Sequence, residues 1–195
     1  TQIAALSATN FSALDATAPG ALTAPQLKGV TTTELKGLTA TALADLSSTQ
    51  IGTLATTQLA ALSTTNIAAL ATTQVSGLTA AQIGSLSTTN LAAISPTAVA
   101  SLSTTQIAGL SVNQLKGLSV TSFAEFKDTQ IAAFASTQIA ALSATNFSAL
   151  DATAAGALTA TQLKGVTATE LKGLSAADLA ELKDTQIALL ASTQI

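Results

Sequence analysis

Large apolar residues recur along this chain at alternating intervals of three and five positions, as in Ile67 and Leu70, Val75 and Leu78, Ile83 and Leu86. Three and five sum to eight, and the eight-residue register runs from Ile3 to Ile195 without an insertion. With Ser63-Thr64-Thr65-Asn66-Ile67-Ala68-Ala69-Leu70 as the reference octad, slots 5 and 8 carry the apolar pair. Pro19 and Ala155 are the slot-5 departures. Slots 1 to 4 are mainly Ser, Thr, Gln and Asn, and slots 6 and 7 mainly small residues.

This spacing disfavours one long helix. Eight residues turn an α-helix through about 800°, so an apolar seam would drift about 80° per octad and face no partner steadily. A straight strand fails too, because slots 5 and 8 are an odd number of residues apart and point to opposite faces. The pattern predicts an all-α solenoid or tight spiral with one very short helix per octad. The alternative is a β-solenoid with a bend inside each octad.

The polar slots support the helical reading. Slot 1 is Ser, Thr or Asp in 18 of 24 copies, residue types whose side chains accept hydrogen bonds from first-turn amides. Slot 4, three residues on, is mostly Gln or Asn, with Glu34, Glu170 and Asp178 among the variants, which is the capping-box spacing. Pro25 and Pro96 fall in the first turn, where no intrahelical amide is lost. All 11 glycines fall in slots 6 and 7, near the predicted helix end, where positive φ is the expected requirement.

Helices of five or six residues cannot stand alone, because nucleation costs more than so few hydrogen bonds return. Successive octads must therefore fold back on one another, burying slots 5 and 8 in a narrow core, with small Ala and Gly in slots 6 and 7 allowing close approach and two or three octads completing a coil. Threonine occupies slot 3 in 21 of 25 copies, so this position carries a constant demand. The expected use is structural, with the methyl packed on the adjacent coil and the hydroxyl bonded to backbone. The sharper reading is an exposed threonine ladder that orders water or binds ice or glycans.

The array reads as a single body over residues 1–195, with an irregular but in-phase octad at residues 15–22. A second period lies above the octad: residues 137–158 repeat residues 1–22 with Pro19 replaced by Ala155, and the correspondence extends over blocks 1–58 and 137–195. Both ends lie in mid-array, which predicts a segment of a longer repeat protein with neighbouring domains.

Composition narrows the chemistry. The chain has no Cys, His, Met, Trp, Tyr or Arg, which removes soft metal ligands, haem axial ligands and most nucleophile and base pairs. Ten carboxylates and seven lysines give a net charge of -3, with no basic stripe for nucleic acid. Pairs such as Glu34 with Lys36 or Asp178 with Lys183 form no active-site signature. The expectation is a non-enzymatic chain with no catalytic, cofactor-binding or metal residues. Asn10-Phe11-Ser12 and Asn146-Phe147-Ser148 match the glycosylation acceptor pattern, but their asparagines occupy the capping slot. The five phenylalanines all sit in slots 5 and 8, as core fillers. Residues 46–115 carry no charge, and no apolar run reaches the roughly 20 residues of a membrane span.

Units such as Thr72-Thr73-Gln74-Val75-Ser76-Gly77-Leu78 and Thr104-Thr105-Gln106-Ile107-Ala108-Gly109-Leu110 resemble octapeptide-type repeat tracts of very large bacterial secreted or surface proteins, some labelled adhesins or haem-utilisation proteins. The resemblance implies an extracellular or cell-surface stalk, spacer or adhesive region. Partners implied are sister repeat arrays or surface glycans.

Overall fold

The computed structural model describes Ser7, Thr9, Asn10 and residues 21–195. Among these residues every ordered element is helical and no strand occurs, so the β-solenoid alternative falls. The irregular octad at residues 15–22 lies almost wholly outside the described residues. The chain divides into two compact units, Thr1–Leu102 and Ser103–Ile195, at a boundary between octads.

Unit 1 contains α1 (Ala24–Lys28), α2 (Thr32–Lys36), α3 (Ala40–Ala44), α4 (Ser48–Thr53), α5 (Thr56–Ala60), α6 (Thr64–Ala68), α7 (Thr72–Ser76), α8 (Ala80–Ser85), α9 (Thr88–Ala92) and α10 (Pro96–Val99). Unit 2 contains α11 (Thr104–Ala108), α12 (Val112–Gly117), α13 (Val120–Phe123), α14 (Asp128–Ile131), α15 (Ser136–Ile139), α16 (Ala144–Ser148), α17 (Ala152–Ala157), α18 (Ala160–Leu163), α19 (Ala168–Gly173), α20 (Ala176–Glu181) and α21 (Asp184–Ile187).

One octad shows how each helix starts and stops. The Ser63 hydroxyl accepts from the Asn66 amide at 3.1 Å, opening α6. The Leu70 amide then donates to the Ile67 carbonyl at 3.2 Å, tightening the last turn. Reversal comes from two consecutive extended residues at the slot 8 to slot 1 junction. Leu54 lies at φ -59°, ψ 141° and Ala55 at φ -65°, ψ 153°. Two such residues bend the path away from the helix axis without a special conformer. No described residue, glycine or other, has positive φ.

Of the two uses expected of glycine, positive φ falls and close approach stands. Glycine serves close approach rather than chain reversal: a Cβ on Gly77 would stand 2.5 Å from the Ser48 carbonyl oxygen, and one on Gly52 would stand 2.6 Å from the Gly77 oxygen. The backbones meet where the side chain is missing.

Within each unit, a helix packs against the one three octads ahead. In unit 1, α4 meets α7, α5 meets α8 and α6 meets α9; in unit 2, α11 meets α14, α15 meets α18 and α16 meets α19. Three octads therefore complete one coil in each unit. Slot-5 residues such as Ile51, Leu59 and Ile67 are fully buried, with slot-8 residues such as Leu54 and Leu70 beside them in the core. Phe123, Phe126 and Phe134 form one aromatic cluster, with ring centroids 5.8 to 6.5 Å apart, as core filling requires.

Candidate functional site: the amide ladder and the threonine row

Slot 4 does more than cap. The Gln58 Oε1 accepts from the Ala55 amide at 2.8 Å, which satisfies the start of its own helix. Its Nε2 donates to the carbonyls of Leu27 at 2.8 Å and Val30 at 2.6 Å, at the end of an octad in the coil before. Gln74 repeats this on Leu43 and Leu46, Gln82 on Ile51 and Leu54, and Gln138 on Ile107 and Leu110. Short helices have orphan donors at one end and orphan acceptors at the other. One buried carboxamide serves both, and ties coil to coil while doing so.

Side-chain length decides how much of this is possible. Asn66 and Asn146, one methylene shorter, each donate to a single slot-8 carbonyl, Leu38 and Leu118, both at 3.0 Å. They do not reach back to the N-cap amide. In both octads slot 1 is a serine whose hydroxyl takes the slot-4 amide instead, Ser63 and Ser143. The converse also holds. Where slot 1 is Ala55, Ala71, Lys127, Ala135, Lys183 or Ala191, slot 4 is always glutamine, and its Oε1 accepts the slot-1 amide at 2.7 to 2.9 Å. This pairing of slots is visible in the sequence once the reach of each side chain is considered.

Glu34 and Glu170 occupy the same buried slot with a carboxyl in place of the carboxamide. Glu170 Oε2 accepts from the Thr167 amide at 2.5 Å, while its buried Oε1 has no hydrogen-bond partner. Burial pushes this carboxyl above the usual range, against the opposing pull of the Thr167 amide and hydroxyl. Asp178 shows the opposite shift. The Ser148 hydroxyl at 2.7 Å, with the Ser175 amide and hydroxyl, holds it below the ordinary carboxylate range.

Slot 3 departs from expectation. Its threonines are exposed in every described copy, including Thr33, Thr73, Thr105 and Thr169, and among the described residues none of their hydroxyls forms a hydrogen bond. The expected bond of the hydroxyl to backbone is therefore not formed. Slot 3 lies in the first helical turn on the side away from the core, since slots 4 and 5 take the inward positions. The ladder of threonines is a surface feature.

Residues 51–88 match the model of the ALTTAQ repeat. The match lies in the uncharged part of the chain, where Gly77-Leu78-Thr79-Ala80-Ala81-Gln82 spans the same Leu-Thr-to-Gln interval as the repeat's name. No curated protein matches the chain. Among the described residues no group of three or more His, Cys, Asp or Glu side chains could hold a metal ion, and no helix is long and apolar enough to cross a membrane. The octad's recurring chemistry is spent on its own coil.

Proposed function

We propose that this chain is a structural repeat module, an extracellular or bacterial cell-surface stalk, spacer or scaffold. The observation that carries the reading is the division of labour within the octad. Slots 1, 4, 5 and 8 hold helix to helix and coil to coil, leaving a nearly uniform exposed threonine in each octad. A body built this way gains extent by adding coils and needs no bound molecule. Duplicating residues 63–86, one three-octad coil, tests this. Small-angle scattering should report a longer particle of unchanged cross-section with unchanged cooperativity per coil; a globular thickening or a loss of folding would sink it.

The exposed threonine row favours a second reading, a binding face toward glycans, ice or sister arrays. Thermal hysteresis and glycan-array retention of the intact chain test it, with Thr49→Lys and Thr73→Lys, exposed slot-3 positions one coil apart in unit 1, as row-breaking variants. Retention that survives both substitutions would place binding elsewhere.

A further inference from the structure

Slot 4 holds an amide side chain in most octads but alanine at residue 154, in the octad of α17, which packs on α14 inside unit 2. Ala154 is buried, so the slot still faces inward, with no headgroup to make the usual bonds. The carbonyls that a slot-4 glutamine takes lie 31 and 28 residues before it, as Leu43 and Leu46 do for Gln74. Phe123 and Phe126 stand at those offsets from Ala154. The Phe123 carbonyl accepts from the Phe126 amide at 3.1 Å, whereas among the described residues the Phe126 carbonyl accepts no hydrogen bond. The Asp151 amide, which a glutamine Oε1 would take, likewise donates to none of the described residues.

A cavity of about 90 Å³ lies at this place, lined by Phe123, Phe126, Asp128, Asp151 and Ala154 among others. It has room for more than one water, whose share of the liquid is roughly 30 Å³. Asp151 is exposed at its mouth, and its Oδ1 caps α17 by accepting from the Ala154 amide at 2.9 Å. The Asp128 carboxylate bonds to none of the described residues. Its register shows what it flanks. Thr64, 26 residues before Asn90, donates from its hydroxyl to the slot-4 Oδ1 of that residue at 3.1 Å. Asp128 precedes Ala154 by the same interval, so its carboxylate borders the place of a slot-4 headgroup.

We propose that this cavity is a binding site for a primary carboxamide, which takes the place of the glutamine head that Ala154 lacks. The ligand oxygen accepts from the Asp151 amide, and its two N–H groups donate to the Phe126 carbonyl and the Asp128 carboxylate. The site therefore selects a head that carries an acceptor and two donors together. An ammonium or metal cation brings no acceptor for the Asp151 amide, and a carboxylate brings no donor for the Phe126 carbonyl. Water meets the polar groups but not the apolar wall of Phe123 and Ala154, against which the carbon stem of an amide packs. A free small amide and the glutamine side chain of another protein offer the same chemistry.

Titration of the full 195-residue chain with acetamide, followed by amide NMR shifts, tests this. Shifts should saturate with a millimolar dissociation constant, as suits so small a ligand, and centre on Asp151, Ala154 and Lys127, the residue after the Phe126 carbonyl. N,N-dimethylacetamide, which keeps the oxygen but has no N–H, should leave those amides unmoved. Ala154→Gln supplies the head from the chain itself and should abolish the response; circular dichroism checks that it folds. Asp128→Ala, which breaks no bond among the described residues, should weaken binding by about tenfold and stands in if Ala154→Gln does not fold. A short glutamine peptide, set against its glutamate counterpart, separates the two sources: tighter binding than acetamide assigns the site to a partner's side chain, exclusion of the peptide to a free amide, and either upholds a carboxamide site. Shifts that do not saturate, equal binding of the dimethyl analogue, or a response unchanged in Ala154→Gln or in Asp128→Ala would overturn the proposal.

Discussion

The Nε2 of Gln74 donates to the carbonyl of Leu46, 28 residues earlier, at 2.6 Å. A second bond from the same nitrogen reaches Leu43 at 2.9 Å, and the Oε1 accepts from Ala71 at 2.9 Å. Three hydrogen bonds of one buried side chain thus join the end of one helix to the start of another. The fold's stability should be concentrated in such side chains as well as in the apolar core.

Gln74→Leu keeps volume but removes all three bonds. Leaving buried backbone groups unpaired should cost about 2 to 4 kcal/mol, read from urea unfolding midpoints. Gln74→Asn should cost less, because one carbonyl bond survives while the cap is lost. Adding Ala71→Ser to Gln74→Asn should restore the cap, recovering about 1 kcal/mol. If the double variant is no better than the single, the pairing of slots 1 and 4 is not physical.

Glycine substitutions separate close approach from backbone freedom. Gly77→Ala drives a Cβ into the Ser48 backbone and should destabilise by about 1 to 3 kcal/mol. Gly156→Ala meets nothing nearer than the Lys183 Cε at 3.5 Å, so it should be neutral or stabilise by roughly 0.5 to 1 kcal/mol. Thermal unfolding of the pair decides between the two roles, and equal effects would remove the distinction.

Glu170 should give the chain a pH dependence. A carboxyl whose folded pKa is raised contributes stability that is complete below its unfolded value, about pH 4, and lost as pH rises through the folded value. The native state should therefore lose stability from this group on going from acid toward neutral pH. Glu170→Gln, which supplies a donor for the coil before, should raise the neutral-pH melting temperature and flatten that limb. Asp178 acts in the other direction, since its lowered pKa gives stability that is lost as pH falls through the folded value. Asp178→Ala should flatten the acid limb only.

Leu70 and Thr73 test the inside and outside of one neighbourhood. Leu70→Ala opens the buried core row and should cost about 2 to 5 kcal/mol. Thr73→Lys adds a charge to an exposed slot and should change stability by less than about 0.5 kcal/mol. Hydrogen exchange should show faster opening around α6 in the first variant and an unchanged pattern in the second.

Helix boundaries were legible because they are set by neighbours in sequence. Ser63 and Asn66 are three residues apart in any register, and Pro25 and Pro96 tolerate only the first turn. Threonine in slot 3 was misread because constancy alone does not distinguish an inward demand from an outward one; the inward places were already filled by slots 4 and 5. Glycine carried two readings for a similar reason. A missing side chain is equally useful for an unusual φ and for a close neighbour, and only the position of Ser48 beside Gly77 separates them.

By itself, then, the sequence determined the octad, its one helix, the apolar pair that must be buried and the absence of Cys, His, Met, Trp, Tyr and Arg. These follow from local hydrogen-bond valence and from the periodicity of side chains about a helix axis. Tertiary structure alone decided that three octads make a coil within each unit, that Gln58 reaches Leu27 and Val30, and that the threonine row faces outward. Those outcomes depend on how far one coil rises over the last, a distance fixed by packing between residues remote in sequence.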